Sequence, residues 1–243
     1  MSDTAAQATA AQGPTRSAFV SRMFGRIAPR YDLMNTLMTL GQDRRWRRLT
    51  ARLAAGEGGG LALDIGAGSG ELSLELAALG CRTVGMDFCR PMMDVARDKL
   101  ESRKDLKVYL AAADALDLPF ADATFDCMTA GFALRNLADL GRGLREMHRT
   151  LKVGGRLAVL ELTPPRSGVT SFLHGIYTHR IVPVLGTLVA RDSAAYTYLP
   201  QSVDHFPDAE ALCRVMLEAG FGKASYRKLG MGMVAIHVAE KTR

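Results

Sequence analysis

Leu61-Ala-Leu-Asp-Ile-Gly-Ala-Gly-Ser-Gly70 decides the fold: an apolar run ends in three glycines at alternating positions. That is a strand feeding a tight turn. Gly66, Gly68 and Gly70 reach backbone angles closed to other residues, and without Cβ atoms they let a ligand lie on the main chain. A helix starting near Glu71 aims free N–H groups at such a ligand, which favours a polar or anionic group there. The dinucleotide spacing Gly-x-Gly-x-x-Gly is not kept, because Glu71 stands where the third glycine belongs, so the case for a pyrophosphate is weak. Seventeen residues after Gly70, the run Arg82-Thr-Val-Gly-Met-Asp87 ends in an acid. A carboxylate at the end of a second strand suits a ribose diol, accepting both hydroxyl hydrogen bonds.

Working outward, the pattern alternates. A helix over 71–79 precedes strand two, and Pro91 opens a helix that runs to about Ser102. Leu106 to Ala111 and Phe125 to Ala130 read as strands three and four, with a loop over Asp114 to Phe120. A helix over Leu140 to Leu151 ends in a Gly154-Gly155 cap and turn, followed by strand five over Arg156 to Leu162. Strands alternating with helices imply right-handed crossovers and a parallel sheet covered on both faces, with the ligand at its carboxyl edge. Asp208 to Ala219 is a further helix. The Gly230-Met-Gly232 connection then predicts a hairpin between Ala224–Leu229 and Met233–Val238, so one of the last strands runs antiparallel.

Residues 1–16 read as disordered, 17–55 as a helical N-terminal cap in two pieces around a Met-rich linker (Tyr31 to Met38), and 56–243 as the α/β domain. Residues 163–206 break its rhythm and are expected to form a lid-like insertion. Four scattered cysteines carry no metal-ligand spacing, so reduced core thiols and no metal site are expected. No apolar run approaches the roughly 18 residues of a membrane span. Between Arg16 and Arg52 nine arginines face two aspartates, while the remainder of the chain is close to neutral. Such a segment suits nucleic acid, an anionic membrane surface or an acidic substrate, or is simply a solvated helix face.

The glycine loop with Asp87 resembles the S-adenosylmethionine site of class I methyltransferases, whose first motif is matched by Leu63-Asp64-x-Gly66-x-Gly68-x-Gly70. Four more stretches resemble one family of that class, the quinone-biosynthesis C-methyltransferases of the UbiE/MenG type. They are Tyr31-Asp-Leu-Met-Asn35 with Gly41, Arg44 and Trp46; Gly131-Phe-Ala-Leu-Arg-Asn-Leu137; Leu144 to Arg156 running on to Leu160-Glu-Leu162; and Tyr196-Thr-Tyr-Leu-Pro-Gln-Ser202 with the closing segment to His237. Together they span about residues 20 to 240. Val153 stands where the family leads us to expect proline.

The resemblance implies a Rossmann-like, mostly parallel seven-stranded sheet with one antiparallel strand, S-adenosylmethionine as cofactor, and methylation of a ring carbon of a polyprenyl quinol. The acceptor would be demethylmenaquinol, the benzoquinol precursor of ubiquinone, or both. It assigns cofactor contacts to Asp64, Gly66, Gly68, Ser69, Gly70, Asp87, Asp114, Ala115 and Gly131. A ring carbon becomes nucleophilic when a neighbouring phenol loses its proton, so positive charge or a base near that oxygen is needed. Arg135 and Asn136 are candidates to stabilise the phenolate and orient the ring, with Tyr31 beside them. Met34, Asn35, Tyr196, Tyr198 and His174 are candidate quinol contacts, and His179 and His205 further ones. The expected setting is cytoplasmic, with transient contact at the inner membrane surface and a homodimer or biosynthetic complex as partner states. A nucleic-acid substrate is disfavoured, because Ala130-Gly-Phe-Ala133 lacks the Asn/Asp-Pro-Pro-aromatic run of base-amine methylation. A small-molecule O-methyltransferase and a non-catalytic cofactor-binding scaffold stay open as alternatives.

Overall fold

The structure is a computed structural model that describes residues 14–164 and 193–243, with side chains from 17 to 164 and from 198 to 243. Residues 1–13 of the expected disordered stretch, most of the expected lid, and the side chains of His174, His179 and Tyr196 lie outside the described residues, while residues 14–16 form the start of a helix.

Seven strands form one sheet: β1 (Leu61–Ile65), β2 (Arg82–Asp87), β3 (Val108–Ala112), β4 (Phe125–Gly131), β5 (Leu151–Leu162), β6 (Lys223–Leu229) and β7 (Val234–Glu240), in the order β3-β2-β1-β4-β5-β7-β6. The first five are mutually parallel, and β7 runs antiparallel between β5 and β6. The hairpin predicted from Gly230-Met-Gly232 is thus present, and the fold is the class I methyltransferase arrangement expected. Strand order turns at β1, so the β1–β4 boundary at the carboxyl edge is the switch point where ligands lie in such sheets.

Alternation along the central strands divides the core. Leu63, Ile65, Met128, Leu157 and Val159 pack on one face with Leu144, Met147, Leu212 and Met216, which come from α6 (Leu140–Thr150) and α8 (Ala209–Glu218). Ala62, Cys127 and Ala158 turn the other way. They meet Ala51 and Ala54 of α3 (Gln42–Ala55) and Leu72 and Leu76 of α4 (Glu71–Ala78). Both faces are covered, which is why β1 carries no exposed residue.

Two expectations are corrected. The segment expected to link the N-terminal helices is itself helical: α1 (Pro14–Ile27) passes through a short 3-10 turn at Ala28–Arg30 into α2 (Tyr31–Thr39). Pro29 at the first turn is compatible with a helix start, since its missing N–H has no intrahelical partner there. Met34 is fully buried against Val20, Met23, Ile27 and Tyr198, so its role is core packing. The second correction concerns Gly154-Gly155, which do not cap α6. That helix ends at Thr150, β5 begins at Leu151, and the pair lies inside the strand beside a register shift. The Lys241 ammonium supplies the cap instead, donating to the carbonyls of His148 and Leu151 at 2.8 Å each.

α5 (Arg90–Glu101) follows β2, and α7 (Ser193–Asp204) precedes α8. α7 lays Tyr198 against α1, its ring 5.7 Å from that of Phe19. The described end of the insertion is therefore anchored on the N-terminal helices.

Candidate active site

At the carboxyl edge of β1 the backbone turns through Gly66 (φ 63°) and Gly68 (φ 55°), both left-handed. A Cβ on Gly66 would lie 2.6 Å from that of Ala133, so the loop and the segment after β4 touch only because this residue is glycine. Asp87 locks the loop to β2: Gly68 N–H donates to Oδ2 and Cys89 N–H to Oδ1, each at 2.8 Å. Burial pushes its carboxyl above the ordinary value, against the pull of those donors. The remaining lone pairs face an open cleft at the carboxyl edge of the sheet.

Gly66, Gly68, Asp87, Asp114, Ala115, Gly131, Tyr31 and Asn136 all line that cavity, brought together from five separate segments. Asp114 also takes the Leu116 N–H at 2.9 Å, so it shapes its own loop turn. Gly70, the third of the loop glycines, begins α4 and is not in the wall. Asp64 and Ser69 stand behind the loop. Asp64 is buried, with Ser73 Oγ donating at 2.7 Å and Thr129 Oγ1 at 2.8 Å, and desolvation raises its pKa to about 6. The Ser69 hydroxyl donates to Asp32 of α2 at 2.6 Å, and Asp32 in turn pairs with Lys99 at 2.6 Å. These two residues support the loop from outside the cavity.

After β4 the chain makes a left-handed turn at Phe132 (φ 57°), unusual for an aromatic residue and placed in the cavity wall. The Phe132 carbonyl gathers the polar groups around it. It accepts from Arg135 Nη1 at 2.6 Å and from Asn136 Nδ2 at 3.2 Å. Arg135 is buried, and its Nη1 also meets Glu161 Oε1 at 2.7 Å. Burial is the largest influence and opposes the guanidinium charge, but Glu161 together with the Tyr31 and Tyr198 phenols outweighs it and holds the pKa above the ordinary value. Arg135 is therefore not in the wall. Its charge still reaches the phenols of Tyr31 and Tyr198, and Tyr198 donates to Asn136 Oδ1 at 3.3 Å.

Asn35 is half-buried and outside the cavity, its carbonyl taken by the Thr39 hydroxyl. His205 is exposed just past the end of α7, its ring bonded back to the Gln201 carbonyl. Sequence reasoning missed several wall residues: Val20 and Phe24 of α1, Phe88 and Met92 beside Asp87, and Phe132. It also missed Glu161, although an acid inside the apolar run of β5 signals a buried partner. Among the described residues no group of three metal-ligating side chains occurs.

A family model described as the ubiE/COQ5 methyltransferase family matches residues 12–241. A demethylmenaquinone methyltransferase of Roseiflexus castenholzii is 45% identical over 228 residues, covering 93% of this chain and 94% of its own. A second, from Thermus thermophilus, is 45% identical over 221 residues, covering 90% of this chain and 100% of its own. A ubiquinone/menaquinone biosynthesis C-methyltransferase of Geotalea uraniireducens is 37% identical, covering 91% and 96%. Among solved structures, a SAM-dependent methyltransferase from Thermotoga maritima superposes with a TM-score of 0.61 at 21% identity, covering 90% of this chain and 98% of its own. The cyclase SpnF gives 0.59 at 18%, covering 90% and 93%. These last two share the fold while differing in chemistry, so the assignment rests on the family match and on the sequence relatives. The chain belongs to the ubiE/COQ5 methyltransferase family.

Proposed function

We propose that this chain transfers a methyl group from S-adenosylmethionine to a ring carbon of a polyprenyl quinol, with demethylmenaquinol the first acceptor to test and 2-methoxy-6-polyprenyl-1,4-benzoquinol the second. The observation that carries the reading is the cavity that joins Gly66, Gly68 and Asp87 to Tyr31 and Asn136. The glycine turn leaves room for a ligand on the main chain, and Asp87 offers carboxylate lone pairs at the ribose position. Met86, Phe88, Met92 and Ala115 give an apolar wall for a base. When bound, the cofactor supplies a methyl carbon activated by an adjacent sulfonium.

The protein's part is alignment, exclusion of water and handling of a phenolic proton. Asn136, fixed by the Phe132 carbonyl and the Tyr198 hydroxyl, orients the quinol ring. Arg135, its charge matched by Glu161 behind the wall, acts through position: it holds the Phe132 carbonyl and so the turn that presents Asn136 to the phenolic oxygen that loses its proton. Tyr31 stands where it can hydrogen-bond that oxygen. Asp64 and Ser69 hold the glycine loop in shape. His174 and Tyr196 keep their proposed place as quinol contacts on the insertion.

A polyprenyl substrate resides in a bilayer, and α2 offers a way to reach it. Leu33, Leu37 and Leu40 are 54%, 42% and 87% exposed in one stripe, followed by exposed Arg44, Arg45 and Arg48 on α3. We place the enzyme on the cytoplasmic face of an anionic membrane through this surface. The test is methyl transfer from labelled cofactor to both reduced acceptors in anionic vesicles, with products located by mass spectrometry. Ring-carbon methylation of either acceptor supports the reading, and a product methylated on oxygen would overturn it.

A further inference from the structure

α3 buries Asp43, Arg47, Thr50, Ala51 and Ala54 along one face, and Arg47 is the residue that does not fit there. It is 6% exposed, yet among the described residues its guanidinium makes no hydrogen bond. Nε is buried without a hydrogen-bond partner, and Asp43, one turn back, meets it only as a loose ion pair at 3.8 Å. Asp43 is itself engaged by the Thr39 hydroxyl at 3.0 Å. The remaining contact is the Phe132 ring, whose centroid is 5.5 Å from the guanidinium carbon. A guanidinium stays charged at this depth and presents a planar fork of donors, so an arrangement without acceptors is costly unless a ligand provides them.

The position says which ligand. Arg47 Nη1 lies 3.6 Å from where a Cβ on Gly131 would stand, with the Leu72 side chain packed at the same point, so Arg47 abuts from behind two residues that line the cavity, Gly131 and Phe132. Strand order fixes the rest. With a ribose on Asp87 at the end of β2 and a base toward Asp114 beyond β3, the other end of the cofactor crosses the β1 loop toward β4. Two strand spacings separate β2 from β4, roughly 10 Å, and that end carries an amino group and a carboxylate.

We propose that Arg47 receives the carboxylate of the cofactor's aminocarboxypropyl end as a bidentate pair. This deepens the methyltransferase reading and rests on it. The test is calorimetric binding of S-adenosylhomocysteine and of its decarboxylated analogue to wild type, Arg47→Met and Arg47→Lys. Wild type should prefer the carboxylate-bearing ligand by about 10- to 100-fold, the range of a charge-assisted hydrogen-bonded contact. R47M should lose that preference while binding the decarboxylated ligand as wild type does, which also reports that it is folded. R47K should keep part of the preference, having the charge without the fork. Equal weakening of both ligands in R47M, or no change in either, overturns the assignment. If wild type binds neither nucleoside, the cofactor reading itself falls and takes the Arg47 proposal with it.

Discussion

Two buried arginines stand on opposite faces of the sheet at the end of β4, with Phe132 between them, and they have opposite surroundings. Arg135 gives its Nη1 to Glu161 at 2.7 Å and to the Phe132 carbonyl at 2.6 Å. Glu161 is two residues on from Val159 and so shares its face, the one covered by α6 and α8. Arg47 comes from α3 on the other face, against the flank of Gly131 and the Phe132 ring, with no acceptor within hydrogen-bond distance among the described residues. Equal burial and equal charge therefore do not mean equal function. A cation whose acceptors are built into the fold holds the fold together, whereas one whose acceptors are missing is arranged for a ligand.

The largest effect that tests this contrast is on stability without ligand. Glu161→Gln leaves a buried guanidinium uncompensated and should cost about 3–5 kcal/mol. Arg47→Met breaks only the looser 3.8 Å pair with Asp43, which keeps its contact with the Thr39 hydroxyl, and should cost clearly less, about 1 kcal/mol. Urea unfolding of the two variants decides the matter. Comparable losses in both would mean that Arg47 is as structural as Arg135.

Next in size is a pH effect confined to the Arg47 side. Asp64 has its carboxyl raised to about 6 from an ordinary 3.8. A folded-state pKa above the unfolded one means that the folded protein binds the proton more tightly. The Asp64 contribution is then fully present below about pH 3.8 and is lost as pH rises through about 6, a span of about 3 kcal/mol. His237 runs the other way. Burial lowers it to about 4, so its contribution is lost as pH falls through the window from 6.5 to 4. Wild-type stability alone mixes the two, and the informative curve is wild type minus Asp64→Asn. It should rise toward acid between about pH 6 and 4, and a flat difference would show that Asp64 is not held under desolvation.

The legible parts of this molecule are those in which a residue type admits one physical solution. Left-handed glycines after an apolar run, an acid ending the next strand, and a Gly-Met-Gly connection gave the β1 loop, Asp87 and the β6–β7 hairpin. What stayed hidden depends on distance or on context. Arg47 sits in a run of basic residues and looks like surface charge, because nothing local separates the position that turns inward from Arg44, Arg45 and Arg48, which do not. The partner of Arg135 is 26 residues away on another strand. α2 reads as a linker since both of its leucines, and Leu40 just after it, face outward, and the cap on α6 comes from Lys241, about 90 residues downstream. Phe132 adopts a backbone angle that its residue type argues against, as happens where a wall is shaped for a ligand.

The smallest effect separates the two arginines most cleanly, because it needs neither ligand nor unfolding. Arg47 and Asp64 share one face of the sheet, and the Arg47 charge pulls the Asp64 carboxyl down against the larger upward push of burial. Removing that charge in R47M should move the Asp64 titration, followed by carboxyl carbon NMR, further upward by less than roughly one unit. Arg135 lies on the other face with its charge already matched by Glu161, so Glu161→Gln should leave the Asp64 midpoint in place wherever that variant stays folded. An upward shift in R47M alone locates the Arg47 charge beside Asp64 and the glycine loop. A shift of the same sign and size in both variants would mean that the two guanidinium groups share one field, and the contrast between a structural and a ligand-ready arginine would collapse.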